Sequence, residues 1–343
     1  MTKKISYISL INVVSCIAVV VLHTNGCFWQ FSKERYWKTA NLIECLFYFA
    51  VPCFFMITGA TLLNYREKYS MAQFFKKRIL KTFIPFVFWS FIGLAYALYR
   101  KNVLLSSLTV KYVYNGIVRT SFVGAYWFFI SLFGMYLCIP LFAAVKEEAR
   151  RQVFLYLVCA GTVINILIPF IIHVSGSDVG WPFTLTVTSG PLIYLPLGFL
   201  LRQYDIKRRW RLIIYAVGLL GLSAHIFGTY YLSMGKGEIV QTYKGYTNLP
   251  CLLFSVAVFV FLKYAAEKIM RPGFINKSVD FLSGYTFSVY LTHWFLIDTI
   301  RRAFDLNTHR LIYRLGMPFI IIPLAVGIAW VIKKIPVLKR ILP

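Results

Sequence analysis

Acidic residues are scarce in this chain: 12 Asp and Glu stand against 37 Lys and Arg in 343 residues. Charge of either sign is thin, at 14% of residues against roughly 25% for a soluble domain, while 59% are hydrophobic. No polar stretch is long enough to fold as a soluble domain, although the length alone would allow two. The seven cysteines form no C-x-x-C pair and no metal-ligand spacing. Most lie within apolar runs, where a thiol acts as a small hydrophobe, so neither a disulfide framework nor a metal is expected. There is no internal repeat or inverted symmetry of the kind many secondary transporters carry. An A-x-A cleavage site is missing too. The apolar run passes Val13–Cys16 and continues to Leu22, which reads as a retained first helix rather than a processed signal.

What is present is material for a bilayer. Mean hydropathy is +0.68, and 31 Phe, 23 Tyr and 8 Trp suit a protein whose Tyr and Trp settle at membrane interfaces. Apolar stretches of roughly 20 residues, the length that spans hydrocarbon, recur near 5–24, 42–63, 82–99, 125–145, 153–173, 183–201, 212–233, 249–264, 281–300 and 315–334. The expected fold is therefore an all-α integral membrane protein of about ten transmembrane helices, with residues 1–343 forming one membrane domain. The sixth span is the weakest, interrupted by Gly190, Pro191, Pro196 and Gly198. Such breaks are tolerated where neighbours satisfy the freed backbone groups, and they often line cavities.

The net charge of +25 does not point to nucleic acid, because the basic residues sit in short groups between apolar runs. Connections on the N-terminal side of the spans hold 24 Lys and Arg, and those on the other side 13. The positive-inside rule then places both termini in the cytoplasm of a multi-pass membrane protein, with the lipid bilayer as its first partner. The longest connection, residues 100–124, is external and mixes apolar with polar residues, as a re-entrant or interfacial helix would.

Ionisable residues inside a span are costly and are functional candidates by default. Here they are His23 in span one, Glu44 at the start of span two, and His293 and Asp298 in span nine. At 1.5 Å per residue, His23 lies roughly 27 Å along its span and His293 roughly 18 Å along its own. Both fall toward the outer side, the layer that also holds Glu44 and Trp127. Each has a plain structural alternative. His23 reads equally as an interfacial histidine, Glu44 as a carboxylate at a helix start, and Asp298 as the partner of Arg301 or Arg302. His173, His225 and His309 read as interfacial or loop residues, and Tyr126–Phe129 as an aromatic belt. The basic group Lys77, Arg78 and Lys81 sets topology and attracts anionic headgroups; its functional alternative is a phosphate site for a nucleotide-bearing donor such as coenzyme A.

An ordered set of motifs shifts these readings. Span one ends Ala18-Val-Val-Val-Leu-His23; residues 47–63 read FYFAVPCFFMITGATLL; Lys77, Arg78 and Lys81 precede Pro85; Tyr126-Trp127-Phe128-Phe129 is followed by Tyr136 and Pro140; and Ser283 leads through Tyr290 to His293. In order and spacing this resembles the acyltransferase-3 family of bacterial membrane acyltransferases. One departure stands out, since Asn12 and Ser9 occupy positions where the family usually has Arg and Asp. The resemblance implies transfer of an acyl group, usually acetyl, from cytoplasmic acyl-CoA (acetyl-CoA) to a hydroxyl of an extracytoplasmic glycan or lipid-linked sugar. On that reading His23 and His293 are catalytic, with His23 as general base or acyl carrier. Lys77, Arg78 and Lys81 hold the donor's phosphates, and Glu44, Trp127 and Tyr290 meet the acceptor. Thioester-to-ester exchange needs no metal. The rival readings are a glycan or lipid transporter or flippase, and a non-catalytic relative suggested by Asn12.

Overall fold

The computed structural model describes residues 6–336, 338, 341 and 342. Lys3 and Lys4 of the leader, the first residue of span one, and the tail's Lys339 and Arg340 lie outside them. Every regular element among the described residues is helical. Helix α1 (Ser6–Thr24) has no acidic residue and only His23 in its last turn. An apolar segment of this kind satisfies its own backbone inside lipid, the one way a single segment can. It is the hub: it packs against α2 (Arg35–Phe47), α3 (Ala50–Leu62), α12 (Leu249–Ile269), α13 (Phe274–Ser283), α14 (Thr286–Ala303) and α15 (Leu311–Lys333).

Proline sets several of the breaks. Span two is two helices, α2 and α3, joined at Tyr48 and Phe49, because Pro52 cannot donate to the Tyr48 carbonyl one turn back. Glu44 is therefore in the last turn of α2 rather than at a helix start. A carboxylate there opposes the helix dipole, so the capping account fails and another partner is required. Span three begins earlier than expected: α4 (Met71–Arg78) runs through a π-turn at Ile79–Phe83 into α5 (Ile84–Tyr99). Pro85 lacks the N–H that a regular helix would direct at Lys81, and the wider turn absorbs that loss. The same device recurs where α8 (Glu147–Thr162) meets α9 (Ile168–Ser175) through Val163–Leu167, ahead of Pro169. Residues 100–124 carry a short surface helix, α6 (Val110–Val118).

Eight helical segments among the described residues are long and apolar enough to cross a membrane. The expected sixth and ninth spans are not among them. Only α10 (Tyr194–Gln203), of 10 residues, is regular in the sixth, because Gly190 and Pro191 hold the preceding chain in a 3-10 turn. The ninth, α14, carries Asp298, Arg301 and Arg302 at its end. Its Thr286, Ser288, Thr292 and His293 are buried inside the protein. Helix α7 (Trp127–Phe142) and α11 (Arg208–Lys236) complete the bundle. Where α3 meets α10, Gly59 and Gly198 allow backbone to lie on backbone. A Cβ at Gly59 would fall 2.1 Å from the Leu195 carbonyl oxygen, and one at Gly198 2.0 Å from that of Met56.

Candidate active site

A cavity of about 510 Å³ follows α1 from Asn12 to His23, a distance of roughly 16 Å. At one end Arg78 and Lys81 face it; at the other stand His23, Glu44 and Trp127. The π-turn explains the basic end, since it reorients the helix that carries Lys81 just before Pro85. Arg78 holds its guanidinium over the Phe74 and Tyr136 rings, at 5.7 and 5.6 Å, and its buried Nε has no hydrogen-bond partner among the described residues. Lys77 is not part of this group. One residue before Arg78, it points to another helix face and sets its ammonium 3.6 Å from the Tyr69 ring centroid, outside the cavity lining.

Asn12 lines the cavity and donates to Thr286 Oγ1 at 2.8 Å and Ser283 Oγ at 3.3 Å. It ties α1 to the junction of α13 and α14. At the far end the ring of His293 lies 4.9 Å from that of His23. The Nδ1 of His293 is 2.7 Å from the Tyr290 carbonyl and 3.1 Å from that of Val289. Carbonyls only accept, so Nδ1 carries the proton and Nε2 is left as an acceptor. That Nε2 is buried without a partner. His293 lies behind His23 and outside the cavity, and it presents a fixed acceptor face to this end of α1.

Tyr290 lends its ring to the cavity, but its hydroxyl is committed: it donates to the Ala125 carbonyl, while Tyr126 donates to the Leu291 carbonyl at 2.7 Å. This reciprocal pair clamps the start of α7 against the middle of α14. Trp127 stacks on Tyr246 at 5.2 Å, and Tyr246 on Tyr48 at 4.1 Å. Beneath Tyr48 lies the Lys244 ammonium, 3.3 Å from the ring centroid, and it donates to Glu44 Oε1 at 3.0 Å. Burial first, and then the Glu44 carboxylate, push the Tyr246 phenol well above its ordinary range and keep it neutral.

Lys244, Tyr48, Tyr246, Asn25 and Arg314 escaped the sequence reading. Lys244 and Arg314 counted as outer-face charges, yet both are buried. Arg314 reaches Thr39 Oγ1 at 2.8 Å and Asn25 Oδ1 at 3.4 Å. The available signal was Glu44 itself: a carboxylate in an apolar span demands a cation, and Lys244 sits in a connection on the same side. His225 is likewise fully buried in α11, against the Tyr48 ring, rather than interfacial. Asp298 holds Arg301 and Arg302, each at 2.9 Å, as its spacing predicted.

The family model of the acyltransferase domain, acyltransferase-3, matches residues 5–334, nearly the whole chain. The chain belongs to the acyltransferase-3 family. No curated protein and no solved structure matches it. With eight helical segments among the described residues long and apolar enough to cross a membrane, this acyltransferase-3 member is a multi-pass membrane protein. The cavity unites Arg78, Lys81, Glu44, Trp127, Tyr290 and His23 of the expected site, with His293 behind it and Lys77 outside.

Proposed function

We propose that this protein transfers an acyl group, acetyl in the simplest case, from cytoplasmic acyl-CoA to a hydroxyl of a glycan or lipid-linked sugar beyond the membrane. One observation carries the reading: a single cavity has cationic side chains with no ion-pair partner among the described residues at one end and His23 at the other. Arg78 and Lys81 suit the phosphates of coenzyme A, because Arg78 keeps unpartnered N–H capacity and charge-assisted bonds to phosphate are the strong ones. The distance of roughly 16 Å from Asn12 to His23 leaves room for the donor's flexible arm. Placement in the cell membrane, ten crossings and cytoplasmic termini belong to the same proposal, with α10 and α14 completing the set inside the bundle.

The step balances without a metal. The acceptor oxygen forms its bond to the thioester carbonyl carbon as the carbon–sulfur bond breaks. His23 takes the hydroxyl proton and passes it to the departing thiolate. His293, its Nδ1 held by backbone carbonyls and its ring 4.9 Å from that of His23, keeps an acceptor nitrogen beside the base without a direct hydrogen bond to it. In nanodiscs, Arg78→Gln and Lys81→Gln each weaken acetyl-CoA binding roughly tenfold to hundredfold, the worth of one hydrogen bond to a charged group. Unchanged affinity in both variants would move the donor elsewhere.

A further inference from the structure

His23 has two open sides. Besides the donor cavity, a second cavity of about 340 Å³ reaches it from the end of the bundle where α1 finishes, and His23 is the single residue common to both linings. Its rim is exposed at Gln30, and its walls come from the ends of α1 and α14 and the start of α15. The chemistry of the two cavities differs. In the first, Arg78 and Lys81 are cations with no carboxylate beside them in the lining. In the second, the lining guanidinium is already paired: Arg301 meets Asp298 at 2.9 Å, and Arg302, outside the lining, holds the same carboxylate. Tyr96 adds a hydrogen bond to Asp298 at 2.9 Å and fixes its orientation. Trp294 and Tyr313 supply aromatic surface.

We infer that this second cavity is a subsite for a neutral sugar residue, which it delivers to the face of His23 opposite the acyl donor. The inference rests on the acyltransferase reading above and assigns the acceptor its own chamber. Gln30, Asp298 and Arg301 are planar groups with paired donors or acceptors, the match for adjacent hydroxyls. Aromatic walls with a few oriented polar groups are the usual make-up of a ligand pocket, and the volume is at the small end of the range for one. A phosphate-bearing ligand is disfavoured, because the only arginine lining the cavity is engaged by Asp298.

The test is binding to the full chain in nanodiscs. Methyl glycosides of glucose, galactose and N-acetylglucosamine serve as probes, read by saturation-transfer NMR, and acetyl-CoA affinity is measured in parallel. Arg301→Gln leaves Arg302 to hold Asp298, so the helix end keeps its pairing; Gln30→Ala alters only the rim. In both variants glycoside affinity falls at least tenfold, while acetyl-CoA affinity stays within about twofold, since neither residue lines the donor cavity. Glycoside affinity unchanged in both variants, or no glycoside binding to the wild type, overturns the assignment. Loss of acetyl-CoA binding in the wild type with glycoside binding retained overturns the donor reading and leaves this subsite standing.

Discussion

Glu44 and Lys244 meet at 3.0 Å with 4% and 0% of their side chains exposed. Removing one partner leaves an uncompensated charge in low dielectric, a loss of about 3–5 kcal/mol, whereas removing both together is far milder. Glu44→Gln and Lys244→Met should each lower the unfolding midpoint in detergent strongly, and the double variant should recover most of it. Additive losses would mean that the pair is not coupled. The pair also supports the aromatic stack that ends at Trp127, so Glu44 reaches the site by positioning Tyr48 and Tyr246 and not as a cap. At this scale His23, Arg78, Lys81 and Trp127 were legible from motif and depth. The partners were not. Lys244 and Arg314 look in sequence like any outer-loop cations, and only tertiary packing separates a buried cation from one in the headgroups.

Among elements, α3 and α10 meet backbone to backbone. Gly59 and Gly198 each face a backbone carbonyl of the other helix, and no flexible side chain is there to yield. Close approach through small residues is how helices associate where lipid removes the hydrophobic drive. Gly198→Val should therefore separate α10 from α3 and reduce folded protein severalfold by fluorescence-detected gel filtration. A wild-type yield and melting curve would show that the interface has slack. Span positions were readable from apolar runs, because length and hydropathy act locally. The π-turns and the break between α2 and α3 were not, although Pro52, Pro85 and Pro169 mark where each regular hydrogen bond must fail. The sixth span was doubtful in sequence for the reason it is short in the fold: its prolines and glycines serve the contact with α3 and not continuous helix.

For the whole molecule, the charge asymmetry predicts a side for each cavity mouth. Lys244 and Arg314 of the smaller set of 13, and Arg150 of the larger set of 24, are buried, and without them the asymmetry persists at 23 to 11. Single cysteines introduced at Lys68 and at Lys101 in a cysteine-free background test it in intact cells. A membrane-impermeant thiol reagent should label the second and spare the first; the reverse pattern would invert the protein and put the basic mouth outside. In the proposed orientation, with the basic end inside, the two cavities would open to opposite compartments and meet at His23. That two cavities share a single histidine is a property of the assembled bundle, and no spacing in the chain displays it.

The most direct measurement of that account is acetyl-CoA turnover by purified protein in nanodiscs, wild type beside His23→Ala, with acetyl-CoA affinity determined on the same samples. Saturable binding is expected in both proteins, with coenzyme A released by the variant at least about a hundredfold more slowly than by the wild type, the low end of what a positioned acid–base group supplies. Equal turnover in the two proteins would contradict it and remove His23 from the chemistry.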